Sequence, residues 1–276
     1  MFSKKLWEYI ENIHNKNNVK KLCIRSLFSS RLVLLAGPND RKYNIYRLLV
    51  TVEKQGCAYS DKPIDITPYV DCIDKSVLEL KNSPIFIQLA VLDAIIPSLN
   101  INIKTQKFIL EGVPWDKAIK RANVITKNIM ILLNSLKKSD PKIALIGYVD
   151  PIFCSLIEKS VFVDVFDLDP KVIGKKLCNG AVIKDGDSLY STKLTYDILL
   201  ITGMTLANNS FQGLSEYCKN TKALVAMYAQ TGGNLGPIMI NLGVDLFIGE
   251  NSPFYYEDGI SEMNLFVNKK YQILFN

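Results

Sequence analysis

Short apolar runs bounded by turn residues recur through the second half of the chain at the spacing of strands separated by helices. The runs at 143–147, 161–167, 197–202, 223–228 and 244–248 are continuous enough to read as strands buried on both faces. Helical patterns lie between them at 151–159, 170–177, 210–219 and 235–242. This alternation predicts a mostly parallel sheet with right-handed crossovers. Asn209 with Gln212 predicts a reciprocal cap for the helix opened by Ser210, and Gly243 predicts a helix stop ahead of Val244.

The first half follows a different pattern. Its spacing predicts an opening helix to about Asn15, a second helix over 20–28, and then an antiparallel meander from 31–37, 46–53 and 56–60. A long apolar helix follows over 84–96, with Ile85, Leu89, Leu92 and Ile96 on one face, and another over 115–136. The Ser139-Asp140-Pro141 turn marks a divide, giving an α+β unit at 1–139 and a parallel-sheet unit at 140–276. The fold class expected is therefore α/β, with a smaller amino-terminal α+β unit.

With 276 residues and 48% hydrophobic side chains, the chain is large enough for a proper buried core, which rules out a disordered or disulfide-dependent miniprotein. Charge sharpens the division. Residues 1–140 hold 22 basic and 13 acidic side chains and residues 141–276 hold 11 and 14, so the parts carry +9 and −3. Without an arginine cluster or an aromatic-basic motif, this asymmetry points to solubility and anion attraction, with no nucleic-acid partner expected. Six cysteines lie far apart in sequence with no C-x-x-C pair, and no unbroken apolar run approaches the roughly 18 residues of a membrane span. A cytoplasmic protein with no membrane partner is the expectation.

Several classes of chemistry are disfavoured by what the sequence lacks. The only histidine, His14, falls on a polar stretch of the first helix and reads as a surface residue, so a histidine-based hydrolase triad is excluded. Scattered thiols and one imidazole predict no closed tetrahedral zinc site; a bound metal should be oxygen-ligated or arrive inside a chelate. Gly147 is followed by Tyr148-Val149-Asp150-Pro151, so the dinucleotide fingerprint is absent, as is a phosphate-binding P-loop. Acid–base work would fall to carboxylates, Tyr, Lys or Cys.

The carboxyl ends of the parallel strands are where such sheets build a ligand crevice. Gly147 and Tyr148 follow the first strand. Asp167 and Asp169 close the second, where a carboxylate can accept ribose hydroxyls; alternatively Asp169 only caps a helix begun by Pro170, with Asp167 solvated. Thr202, Gly203 and Thr205 could present hydroxyls and amides to an anion, or form an ordinary turn capped by Asn208 or Asn209. Gln230, Thr231 and Gly232 open a glycine-rich loop that could cradle a carboxylate or phosphate, or serve as a flexible turn.

Taken together, these stretches resemble the putative heavy-metal chelation family. The resemblance is carried by Ile146-Gly147-Tyr148 with the Pro151 helix, by Val165 to Pro170, by the Thr202-Gly203-Met204-Thr205-Leu206-Ala207-Asn208 turn and by Gly243-Val244-Asp245. Gly56-Cys57-Ala58-Tyr59-Ser60 and Leu89 to Ile95 extend it into the first half, where Asp93 stands in place of the family's Asn. The resemblance implies an enolase amino-terminal-like domain joined to a Rossmann-like domain. The resulting expectation is a binder of a small polar, anionic or metal-chelate ligand between the two units, lined by the residues above. The rival reading is an enzyme on a nucleoside-containing substrate or cofactor such as S-adenosylmethionine, with Tyr148 and Asp93 as catalytic candidates. An oligomeric scaffold is the third, and homo-oligomer formation stays open under each.

Overall fold

The computed structural model describes residues 2–13, 19, 21–36, 41–99, 101 and 105–275. His14 and Gly37 lie outside the described residues. The order is α1 (Phe2–Ile13), β1 (Ser26–Ala36), β2 (Arg41–Thr51), β3 (Gln55–Ser60), α2 (Ile85–Ile95), β4 (Thr105–Leu110), α3 (Pro114–Ser135), β5 (Lys142–Ile146), α4 (Asp150–Glu158), β6 (Phe162–Asp167) and β7 (Lys184–Asp185). It continues with β8 (Ile198–Thr202), α5 (Met204–Ala207), α6 (Phe211–Thr221), β9 (Leu224–Ala229), α7 (Gly236–Asn241), β10 (Leu246–Asn251) and β11 (Ser261–Val267).

The chain is an α/β protein built on an eight-stranded sheet in the order β4-β11-β10-β9-β8-β5-β6-β7, with a three-stranded antiparallel sheet β1-β2-β3 beside it. The run from β10 to β7 is parallel, whereas β11 pairs antiparallel with both β10 and β4. Leu145 pairs with Val165 on one side and with Leu200 on the other, so the three strands read from the sequence are neighbours. β6 lies on one side of β5 and β8 on the other, which puts the reversal of strand order between β5 and β8.

Alternation along the central strands explains why they are apolar throughout. Ala144, Ile146, Leu199, Ile201, Val225, Met227 and Phe247 face a core that also contains Leu6, Trp7, Leu48, Val50, Ala58, Leu89 and Leu92 from α1, the meander and α2. Ile143, Leu145, Ile198, Leu200, Ala226, Leu246 and Ile248 face a second core built with Ile125, Ile129 and Leu132 of α3 and Phe153 and Leu156 of α4. Both faces are covered, as a parallel sheet requires. α2 is packed on all sides, with residues 87–95 buried, so the single stripe through Ile85, Leu89, Leu92 and Ile96 understates its contacts.

Three local expectations are corrected. Of the helix expected over 20–28, the described residues 21–28 form none: Cys23 bridges Ser76, the Ile24 amide bonds Lys75 O at 3.0 Å, and β1 begins at Ser26, so antiparallel pairing outcompetes helical spacing. The 170–177 segment makes one turn on the Asp169 carbonyl and is then broken by Gly174 at φ +83°, after which Lys176 bridges Val182. Asn209 is itself left-handed at φ +63°, and it is Asn208 Oδ1 that accepts from the Ser210 amide and hydroxyl; Gln212 turns to Glu216. Strands β4 and β11 were not anticipated. β4 and α3 precede residue 140 yet build onto the large sheet and its second core, so sheet membership does not follow the 139/140 divide.

Gly249 of β10 fixes how closely the 231–235 loop approaches the sheet: a Cβ there would stand 1.8 Å from the Gly233 carbonyl oxygen. Neither partner is a side chain that can swing away. Gly249→Ala is expected to destabilise the fold by about 1–3 kcal/mol or more, read as a lower urea midpoint; an unchanged midpoint would show that this contact yields freely.

Candidate functional site

Gly147 follows β5 at φ +89°, and a Cβ on it would lie 2.3 Å from Thr202 Oγ1 at the end of β8. The two residues flank the strand-order reversal, where open sheets have their crevice. Gly203 is similarly crowded: a Cβ would be 2.9 Å from the Thr231 carbonyl oxygen and from Ala229 Cβ. Only glycines permit the three loops to converge here. Half-buried Tyr148, Thr202, Met204 and Gln230 remain along this edge.

Asp167 at the end of β6 and Asp169 just beyond it hold the main chain of the loops after β5 and β6. Asp167 Oδ2 accepts the Tyr148 amide at 2.8 Å and Oδ1 accepts the Asp169 amide at 2.9 Å, while Asp169 Oδ1 accepts the Lys171 amide at 2.9 Å. Thr205 is buried and donates to the Thr202 carbonyl at 2.8 Å, and the Gly203 amide is taken by the Tyr228 carbonyl. Tyr148 donates its hydroxyl to Asp150 at the start of α4.

The third loop is fastened to the first half of the chain. Tyr59 N donates to Thr231 Oγ1 at 3.1 Å and Gly232 N to the Cys57 carbonyl at 2.9 Å, so the edge of β3 lies along the loop. Asp93 of α2 completes the joint: Oδ2 accepts the Cys57 amide at 2.7 Å, Oδ1 the Asn234 amide at 2.6 Å, and its own carbonyl the Asn234 side chain. Burial pushes the Asp93 carboxyl up to about 7, against the pull of these amide donors. The structure thus places Asp93 with Thr231 and Gly232, and Tyr148 with Asp167. A carboxylate held by two main-chain donors is placed to position the loop.

Beside this joint lies a buried polar network of which the sequence reading named only Gln230 as a site residue. Tyr228 Oη donates to Glu250 Oε2 at 2.5 Å and accepts from Arg121 at 3.1 Å; Gln230 donates to the same carboxylate oxygen at 2.9 Å, and the Tyr255 amide to the other at 2.6 Å. Arg121 stacks over the Tyr255 ring, 3.7 Å from its centroid. Burial works against the Arg121 charge, but Tyr228, Tyr255 and Glu250 more than offset it and raise its pKa. Arg121 Nε finds no hydrogen-bond partner among the described residues. The signal was present in the sequence: Lys117 and Arg121 interrupt the buried face of α3, and Glu250 follows the apolar start of β10.

Cys154 and Cys178 correct the picture of scattered thiols, because their sulfurs lie 3.6 Å apart. Cys154 Sγ is also 3.9 Å from Asp150 Oδ1, and burial, then Asp150 and Cys178, push its thiol up to about 12. Among the described residues, no group of three or more His, Cys, Asp or Glu side chains could hold a metal, and no helix is long and apolar enough to cross a membrane.

Residues 131–246 match the family described as "Putative heavy-metal chelation" (DUF364). The match covers most of the parallel strands and the loops that converge at their carboxyl ends. A DUF364 protein of unknown function from Desulfitobacterium hafniense DCB-2 has the same fold, with a TM-score of 0.55 at 11% identity over 91% of this chain and 88% of that one. The resemblance read from the sequence is therefore shown, and the family's description suggests metal-related binding. Weaker likenesses carry no argument, among them an aromatic amino acid aminotransferase from Psychrobacter sp. B6 (11% identity, TM-score 0.37, 65% of this chain and 46% of that one). A mandelate racemase/muconate lactonizing enzyme from Roseiflexus sp. is similar at 11% identity and a TM-score of 0.25 over 82% of this chain and 72% of that one. No curated protein matched the chain.

Since the folded Asp93 pKa of about 7 is above the ordinary 3.8, the folded state holds the extra proton between these values. Its contribution to stability is therefore fully present at low pH and is lost as pH rises from about 4 to about 7. Wild-type stability minus that of Asp93→Asn, from denaturant melts across pH, should fall over this window and then level off. A flat difference would mean that the two amide donors keep the carboxylate charged throughout.

Proposed function

We propose that the protein binds a small polar or anionic ligand, including metal chelates, at the carboxyl ends of β5, β8 and β9 under the edge of β3. The observation that carries this reading is the close packing of Gly147 against Thr202 at the reversal of strand order. It brings the half-buried Tyr148, Thr202 and Gln230 to one edge, whose hydroxyl and amide side chains suit an anion or a polar chelate. The net positive charge of the first half adds long-range attraction for an anion. The family's description supports the metal-related side of the reading. Asp167 weighs against the nucleoside alternative, because its two oxygens already accept the main-chain amides of Tyr148, after β5, and of Asp169.

Calorimetry with inorganic phosphate, nickel–citrate and S-adenosylmethionine separates the readings. Binding of phosphate or the chelate, weakened about five- to 150-fold by Thr202→Val at little change in melting temperature, is the expected result, corresponding to about 1–3 kcal/mol for a polar partner left unmet. Asp167→Asn should lower stability as well, since one of its two amide donors loses its acceptor. Binding of S-adenosylmethionine alone would favour the enzyme reading, and no binding of any probe would overturn the proposal.

A further inference from the structure

The two thiols beside Tyr148 belong to elements that hold them in place. Cys154 lies one turn into α4, four residues after Asp150. Cys178 sits near the tip of a tight hairpin: Gly174 N bonds Ile183 O at 2.8 Å, Ile183 N bonds Lys175 O at 3.0 Å, and Leu177 N bonds Ala181 O at 2.8 Å. Gly180 N closes the tip onto Leu177 O, and Asn179 Oδ1 accepts the Ala181 amide. Cys178 is exposed and Cys154 half-buried, so the pair opens to solvent from one side.

We propose that Cys154 and Cys178 form a two-thiolate site for a soft divalent metal ion, whose remaining ligands come from water or from the chelating molecule. Two sulfurs about 2.3 Å from one ion stand roughly 3.8 Å apart at a tetrahedral angle and about 4.6 Å apart at a linear one. The observed 3.6 Å fits the tetrahedral case. Thiolates favour soft ions over magnesium or calcium. Asp150, which takes both the Cys154 thiol and the Tyr148 hydroxyl on one oxygen, ties the pair to the strand-end edge. On binding, two sulfur–metal bonds form and the two S–H protons leave to solvent, with no change of oxidation state. The inference deepens the metal-related function proposed above and rests on it for the site's purpose, while the geometry of the sulfurs stands by itself.

The test is a titration of the reduced full chain with cadmium(II) alone, followed by calorimetry and by the ultraviolet absorption of cadmium thiolates. One equivalent should bind with a thiolate band. Cys154→Ser and Cys178→Ser should each lower affinity at least tenfold, and Cys72→Ser should leave it unchanged. Cys178 is exposed, so its variant carries the test even if Cys154→Ser folds poorly. Wild-type affinity in both single variants, an equal loss in Cys72→Ser, or a missing thiolate band would overturn the proposal. Failure here would leave phosphate and nickel–citrate binding to be judged separately on Thr202→Val.

Discussion

The arrangement of this protein depends on one buried carboxylate. Asp93 reaches from α2 to the amide of Cys57 in β3 with one oxygen and to the amide of Asn234 in the loop after β9 with the other. Burial opposes its charge, and two short charge-assisted hydrogen bonds oppose that burial. The balance holds three segments from distant parts of the sequence at one point. Thr231, Gly232 and Asn234 are in this way presented to β3, and the close approaches at Gly203 and Gly249 become possible.

The two cores follow from the same sheet. Strands apolar at every position make sense only when alternate residues are buried on opposite sides, and the cores divide the residues of β5, β8 and β9 in that way. The meander is thus one layer of a shared interior, with Leu48, Val50 and Ala58 packed in the same cluster as Leu199 and Met227.

Where the sequence was legible, one physical effect dominated. Short, mostly apolar runs located β5, β6, β8, β9 and β10, since a strand buried on both faces is rich in such residues. Gly243, at φ +100° with its amide on Ile240 O, stopped α7 as a glycine in that position does. Where two local effects competed, the spacing misled. Pro170 allows a helix but Gly174 ends it after a turn, and the 20–28 stretch has helical spacing, yet its described residues 21–28 gain more main-chain pairing as an extended segment. β4, lying at the sheet edge with exposed Ile109 and Lys107, lacks the continuous apolar signal. At the candidate site, the glycines and threonines of the loops could be read directly. Their partners could not, because Asp93, Tyr59 and Glu250 come from segments far away in sequence, and the pairing of Cys154 with Cys178 arises from a hairpin that spacing does not reveal.

The segment joining β10 to β11 crosses from one side of the large sheet to the other. Glu257 receives Arg47 from β2 at 2.6 Å, and Lys117 of α3 donates to the carbonyls of Glu257 and Gly259. Phe254 is buried against Leu49, Cys57 and Tyr59, and Tyr255 lies under Arg121. Nine residues thus act as a clasp around the rim of the sheet. Neither covering layer can lift without stripping a buried cation of its acceptors, so exposure of one face is energetically linked to exposure of the other. Such a clasp makes the loss of structure cooperative across a sheet that would otherwise insulate its two sides.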